Sequence, residues 1–213
     1  MRKPVCALIA FCVFVSGIIT GCTSSTPFDK EAVKTYVGMY GIHEFTGGSN
    51  ADSAISSFSS RQSRSAYYVS KDAAEAKKLY KNYVNENNYY PKANINDIIV
   101  VAAKEQVLNS VYETDCCVFY FDDKSEAKAY YDAYVSSLNS DHTNKTGYKD
   151  GYAYAITYSL SANRDGNCDW MKGVYLKGNS ILLITGFSPI GIVDTFSDYI
   201  YNSLNVIDPA TLK

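Results

Sequence analysis

Hydrophobic and polar residues follow two rhythms along this chain. Val33, Tyr36, Val37 and Tyr40 recur at steps of three and four, the spacing that lines one face of a helix. Pro27 suits the first turn of that helix, with Thr26 as its N-cap and Gly41 as its stop. Segment 72–87 repeats the pattern with Ala76, Leu79, Tyr80, Tyr83 and Val84. Segment 124–139 repeats it again with Ala127, Tyr130, Tyr131, Tyr134, Val135 and Leu138. A last helix is expected to open at Ser188-Pro189, with Val193, Phe196, Ile200 and Leu204 on one face. The other rhythm is strand-like. The run Ile98-Ile99-Val100-Val101 within 97–103 suits a buried strand, and 152–160 alternates with Tyr152, Tyr154, Ile156 and Tyr158 on one side. Segments 170–176 and 180–187 flank Lys177-Gly178-Asn179, which reads as a hairpin turn. Tyr67-Tyr68-Val69 and Val118-Phe119-Tyr120 read as short strands ahead of helices. The polar segments 47–65 and 142–151 read as loops, the first with room for one short helix.

Three of the helices share the spacing Glu-Ala-x3-Tyr, at Glu31, Glu75 and Glu126. Segments 75–84 and 126–135 agree at six of ten positions, and an aromatic strand precedes each. Glu in a first turn favours the positive end of the helix. Ala four residues before Tyr shares its face and lets a neighbouring element approach closely. The pattern predicts a duplicated strand–helix unit, with related halves 28–113 and 114–213. Hairpin-linked strands with interspersed helices predict an α+β fold, an antiparallel sheet with helices packed on one face.

The first 21 residues stand apart from this body. Arg2 and Lys3 precede an apolar stretch from Val5 to Ile19, shorter than the roughly 20 residues a spanning helix needs, and fitting a secretory signal. The stretch ends in Ile19-Thr20-Gly21-Cys22. That order resembles the lipobox of bacterial lipoproteins. The resemblance implies cleavage before Cys22 and a thioether-linked diacylglycerol on its thiol, with fatty acids such as palmitate anchoring the chain to the cell membrane on the extracytoplasmic side. It covers 1–22 only, and 22–27 becomes a short tether ahead of a body spanning 28–213. Loss of the two basic residues in 1–21 takes the net charge from −2 to −4. A mildly acidic body argues against nucleic acid, whose phosphates need a clustered basic surface. Hydrophobic residues at 46% exclude wholesale disorder. The segment Phe119-Tyr120-Phe121-Asp122-Asp123, followed by Glu126-Ala127, also resembles small lipoproteins common in Gram-positive gut bacteria, a group that implies no particular activity.

Catalytic motifs are thin. Ser125-Glu126-Ala127-Lys128 and Lys145-Thr146-Gly147 fit two elements of penicillin-interacting serine enzymes, but only 17 positions separate Lys128 from Lys145, and a long helical region belongs between them. Asp165-Gly166-Asn167-Cys168-Asp169 starts like a calcium loop, yet Trp170 and Leu176 stand where Gly and Glu belong. His43 and His142 have no metal-ligand partner at helical or hairpin spacing. No catalytic residue, metal or cofactor is assigned. Cys116 and Cys117 open a strand and face opposite ways. One of them is a candidate disulfide partner for Cys168, and three free thiols are the alternative.

Tyr supplies 20 residues and Trp only one. Tyr152, Tyr154, Tyr158 and Trp170 form the candidate aromatic binding face, suited to a protein, peptide or glycan ligand. The sequence therefore predicts a lipid-anchored, non-enzymatic binding or envelope-structural module. A small cell-surface hydrolase and the solute-binding receptor of a transporter are the alternatives.

Overall fold

Two aspartates start two of the helices in the same way. Asp72 Oδ1 accepts from the backbone N–H groups of Ala74 and Glu75, both at 2.9 Å, and opens α3 (Ala73–Tyr83). Asp123 Oδ1 accepts from those of Ser125 at 2.7 Å and Glu126 at 2.9 Å, and opens α4 (Lys124–Ser136). Such caps satisfy N–H groups that the first turn leaves without partners. The Ser125 hydroxyl and the Glu126 N–H hold the Asp123 carboxyl below its ordinary pKa. Ala76 and Ala127 are both fully buried, each on the face of its tyrosines.

The computed structural model describes residues 26–48, 50–59, 65–84, 94–107, 110–163, 166–189 and 195–212. Its other elements are α1 (Lys30–Met39), β1 (His43–Glu44), α2 (Ala51–Ser59), β2 (Ala66–Val69), β3 (Ile95–Val107), β4 (Ser110–Phe121), β5 (Thr143–Lys149), β6 (Tyr152–Asn163), β7 (Gly166–Lys177), β8 (Ser180–Pro189), α5 (Thr195–Ser203) and a 3-10 turn at Pro209–Leu212. The strands form one mixed sheet in the order β1-β2-β3-β4-β8-β7-β6-β5, in which β1 and β2 are parallel and every other pair is antiparallel.

The helices do not share one face of this sheet. Ile98, Ile99, Val100 and Val101 in β3 are all fully buried, as are Val118 and Phe119 in β4. Successive strand residues point to opposite faces, so these strands need cover on both sides. One face carries Ile98, Val100, Cys117, Phe119, Val174 and Leu183 beneath α2, α3 and α4. The other carries Ile99, Val101, Cys116, Val118, Tyr175 and Ile184 beneath α1, α5 and the C-terminal turn. The fold is a three-layer sandwich, and the expected single helical layer is corrected. The expected division at 113/114 falls inside β4, which joins both halves of one continuous sheet. α3 and α4 do share a face and follow β2 and β4 respectively.

Three smaller expectations change as well. Asp29, not Thr26, caps α1, its side chain accepting from the Glu31 N–H at 2.9 Å. β5 occupies part of a segment read as a loop, because Gly147 lies under the Tyr154 ring and leaves no apolar signal of its own. β8 runs through Pro189, where the last helix was expected to open; α5 begins at Thr195.

The entry to α1 is clamped to one end of the sheet. Phe28 is buried, and its N–H donates to Ser180 Oγ at 2.8 Å. Its carbonyl accepts from the Tyr120 hydroxyl at 2.5 Å, and the Lys177 ammonium lies 5.6 Å from its ring. Lys30 pairs with Asp97 on the same face. Residues 1–25, with Cys22 and the lipobox, lie outside the described residues, and no described helix is long and apolar enough to cross a membrane.

Candidate functional site: a polar row across the sheet

The aromatic face expected on β6 is largely core. Tyr152 is 3% exposed and Tyr154 is 7% exposed. Tyr152 packs edge-on to Tyr175 at 5.9 Å, and the Tyr175 hydroxyl donates to the Ile207 carbonyl at 2.5 Å. The C-terminal segment therefore covers these rings. Tyr158 is half-buried and donates to Asp169 Oδ1 at 2.7 Å. Trp170 points the other way, because it pairs with Ser159 and so shares the face of the odd-numbered β6 residues. Alternation within β6 was legible in the sequence. The cover supplied from residues 50 positions away was not.

Following the register from β4 to β5 on the face of Trp170 gives a row of polar side chains. Asp115 lies opposite Thr185, Thr185 opposite Lys172, Lys172 opposite Thr157, and Thr157 opposite Asn144. Everything deeper on this face of β4, β8 and β7, toward Phe119, Ile181 and Leu176, is apolar core under α4. The helix ends beside the row, where Tyr134 in its last turn lays its ring 4.8 Å from the Lys172 ammonium. Thr157 donates to Asn144 Oδ1 at 2.8 Å, and Asn144 Nδ2 donates to the carbonyls of Asn139 at 2.6 Å and His142 at 3.0 Å. These bonds tie the exit of α4 to the edge strand β5. They also place the His142 ring 5.6 Å from Trp170, the residue two along from Lys172 on the same face.

The charges of the row are not neutralised within it. Lys172 is half-buried, and burial lowers its pKa. Asp115 is solvent-exposed. Partial desolvation of its carboxyl, with Glu113 nearby, lifts its pKa to about 6, and Lys104 only partly offsets the rise. Lys104 is already paired with Glu113 at 3.2 Å. Among the described residues neither Asp115 nor Lys172 has a hydrogen-bond or ion-pair partner. Their Cα atoms lie two strand spacings apart, roughly 10 Å, with Thr185 between.

The motif-based candidates go elsewhere. Ser125 Oγ donates to Asp123 Oδ1 at 2.6 Å as part of the helix cap, and Lys128 pairs with Asp132 at 2.5 Å. Of the calcium-like segment, Asp169 is buried against Tyr158, while Asp165 lies outside the described residues. Among the described residues no group of His, Cys, Asp and Glu is placed to hold a metal.

The candidate disulfide is corrected too. Cys116 and Cys117 are free, and they are buried on opposite faces. Cys116 is level with Gly173 through Ile184, five residues along β7 from Cys168 and two strands away. That puts the Cα atoms about 20 Å apart, where a bridge needs less than about 7 Å. The Cys168 side chain lies outside what is described. Burial pushes the Cys116 thiol up to about 12 and Cys117 well above its ordinary value.

No family model matches the chain, and no curated protein matches it in sequence. Among solved structures it is similar to the extracellular domain of PknH from Mycobacterium tuberculosis, at 10% identity and a TM-score of 0.41. The likeness covers 85% of this chain and 97% of that domain.

Proposed function

We propose that the chain is a lipid-anchored extracytoplasmic binding module, not an enzyme, and that it binds through the row from Asp115 to Asn144. One observation carries this reading: Asp115 and Lys172 face the same side of the sheet, bear opposite charges and form no ion pair or hydrogen bond with each other or with any other described residue, the Lys172 ammonium resting only on the Tyr134 ring. Holding the half-buried Lys172 ammonium without a counter-charge costs stability, and an anionic ligand group would supply one. No described hydroxyl, thiol or imidazole is hydrogen-bonded to either charge, so neither is set up to activate a nucleophile.

On this reading the lipobox supplies the anchor, and the buried Phe28 lies six residues after it in sequence. Six residues from Cys22 to Phe28 reach at most about 20 Å. The row lies five residues farther along the strands from Ser180, roughly 17 Å. A ligand on the row is thereby held within tens of ångströms of the lipid headgroups. The test is metabolic labelling with palmitate: the parent chain should be labelled and Cys22→Ala should remain unlabelled and unprocessed. Efficient labelling of the variant would remove the anchor from this reading.

A further inference from the structure

From the arrangement of the row we infer that its ligand is a short zwitterionic peptide of two or three residues, with its carboxylate on Lys172 and its ammonium on Asp115. This rests on reading the row as the binding site and is independent of the lipid anchor. An anion would gain from Lys172 but meet Asp115 and, behind it, Glu113. A cation would gain from Asp115 but meet Lys172. Only a ligand with both charges gains at both ends, and neutral sugars leave both charges as they were.

Length follows from the register. The two charged residues stand two strand spacings apart, roughly 10 Å. A chain of three residues spans at most about 10 Å and one of two residues about 7 Å. The ammonium and carboxylate of a free amino acid are separated by only two bonds through one carbon. It reaches both charges only where the Lys172 side chain leans along the row toward Asp115, and that ammonium is engaged 4.8 Å from the Tyr134 ring. Thr185 sits midway in the register, where the peptide bonds would cross. Trp170 and His142, their rings 5.6 Å apart, lie beside Lys172 at the border of the row.

Trp170 is the only tryptophan in the chain, so its emission reports on this site alone. Full-length protein in detergent should be titrated with trialanine, N-acetyl-trialanine, trialanine amide, N-acetyl-trialanine amide and cellobiose. Trialanine should shift the emission and saturate, and each singly capped peptide should bind at least tenfold more weakly. Lys172→Met should bring trialanine down to the affinity of trialanine amide, and Asp115→Asn should bring it down to that of N-acetyl-trialanine. If the doubly capped peptide or cellobiose binds as well as trialanine, the zwitterion is wrong and the row remains a binding site of another class. If no probe moves Trp170 and neither substitution changes anything, both readings fall together.

Discussion

Substituting Ala127 by Leu probes the packing on which the α4 layer depends. Ala127 is fully buried in the cluster that holds Phe119, Phe121 and Tyr130. Phe119 is the hub: Tyr80 of α3 meets it at 5.3 Å and Tyr130 of α4 meets it at 5.2 Å, while Tyr80 and Tyr130 stand 6.3 Å apart. Three added carbons have nowhere to go without moving α4 off these rings, and overpacking of this kind costs about 1–3 kcal/mol. Ala76, equally buried at the matching place on α3, should behave the same way. Lys128→Leu is the control. Lys128 is more than half exposed, and its pair with Asp132 is worth about 0.3–0.5 kcal/mol as a surface helix pair, while Leu and Lys have nearly equal helix propensity. Urea unfolding followed by circular dichroism should show a lower midpoint at unchanged m for Ala127→Leu and almost no shift for Lys128→Leu. Equal small shifts at both positions would show that the inward and outward faces of α4 are misassigned, and the correspondence of α3 with α4 would go with them.

Asp115→Asn should stabilise the fold near pH 7.5. The folded carboxyl titrates near 6 against about 3.9 in an unfolded chain, so stability is greatest below the unfolded value and declines as pH rises to 6. Removing the charge, with Glu113 and Lys104 still in place beside it, should gain up to about 1 kcal/mol after solvent screening and flatten that decline; an unchanged slope in denaturation midpoints between pH 4 and 6 would contradict it. Cys116 and Cys117, buried and with raised thiol pKa values, should resist iodoacetamide in the native protein and react fully in guanidinium. Rapid native modification of either residue, located by mass spectrometry, would show that the strand opens far more readily than its burial implies.

Much of the fold was legible because its elements carry local signals. The 3.6-residue spacing of α3 and α4, the Asp before each, and the hairpin turn at Lys177-Gly178-Asn179 depend on neighbours a few residues away. β5 was missed because its residues are mostly exposed at a sheet edge and Gly147 is kept small by a tyrosine ring from the next strand. The second helical layer was implicit in Ile98-Ile99-Val100-Val101. Four consecutive apolar residues cannot all face one core, so that run already demanded cover on both faces. Tyr152 and Tyr154 misled because alternation marks which residues share a face, but not whether that face is wet. That is decided by residues 204–212, which cross β6 and β7 from the far end of the chain.

The binding row lay beyond such reasoning for a further reason. Asp115, Thr185, Lys172, Thr157 and Asn144 come from five strands, and only pairing register makes them neighbours. Register in turn follows from which residues the two cores bury, since a slip of one position would send every side chain to the other face. The apolar residues of β4, β7 and β8 therefore determine where the polar ones line up, though they take no part in the row. What remains in sequence is a local feature at two places: Lys172 sits between Met171 and the apolar run Gly173-Val174-Tyr175-Leu176, and Asp115 directly precedes two buried cysteines. At the half-buried position of Lys172, a strand that needed only packing would carry an apolar residue and be more stable for it. Two strands bear such a feature at the same level of the same face, with opposite charges and a gap the length of a short peptide. Packing alone does not account for that coincidence, and the retained charges are the part of this sheet that a ligand has to answer.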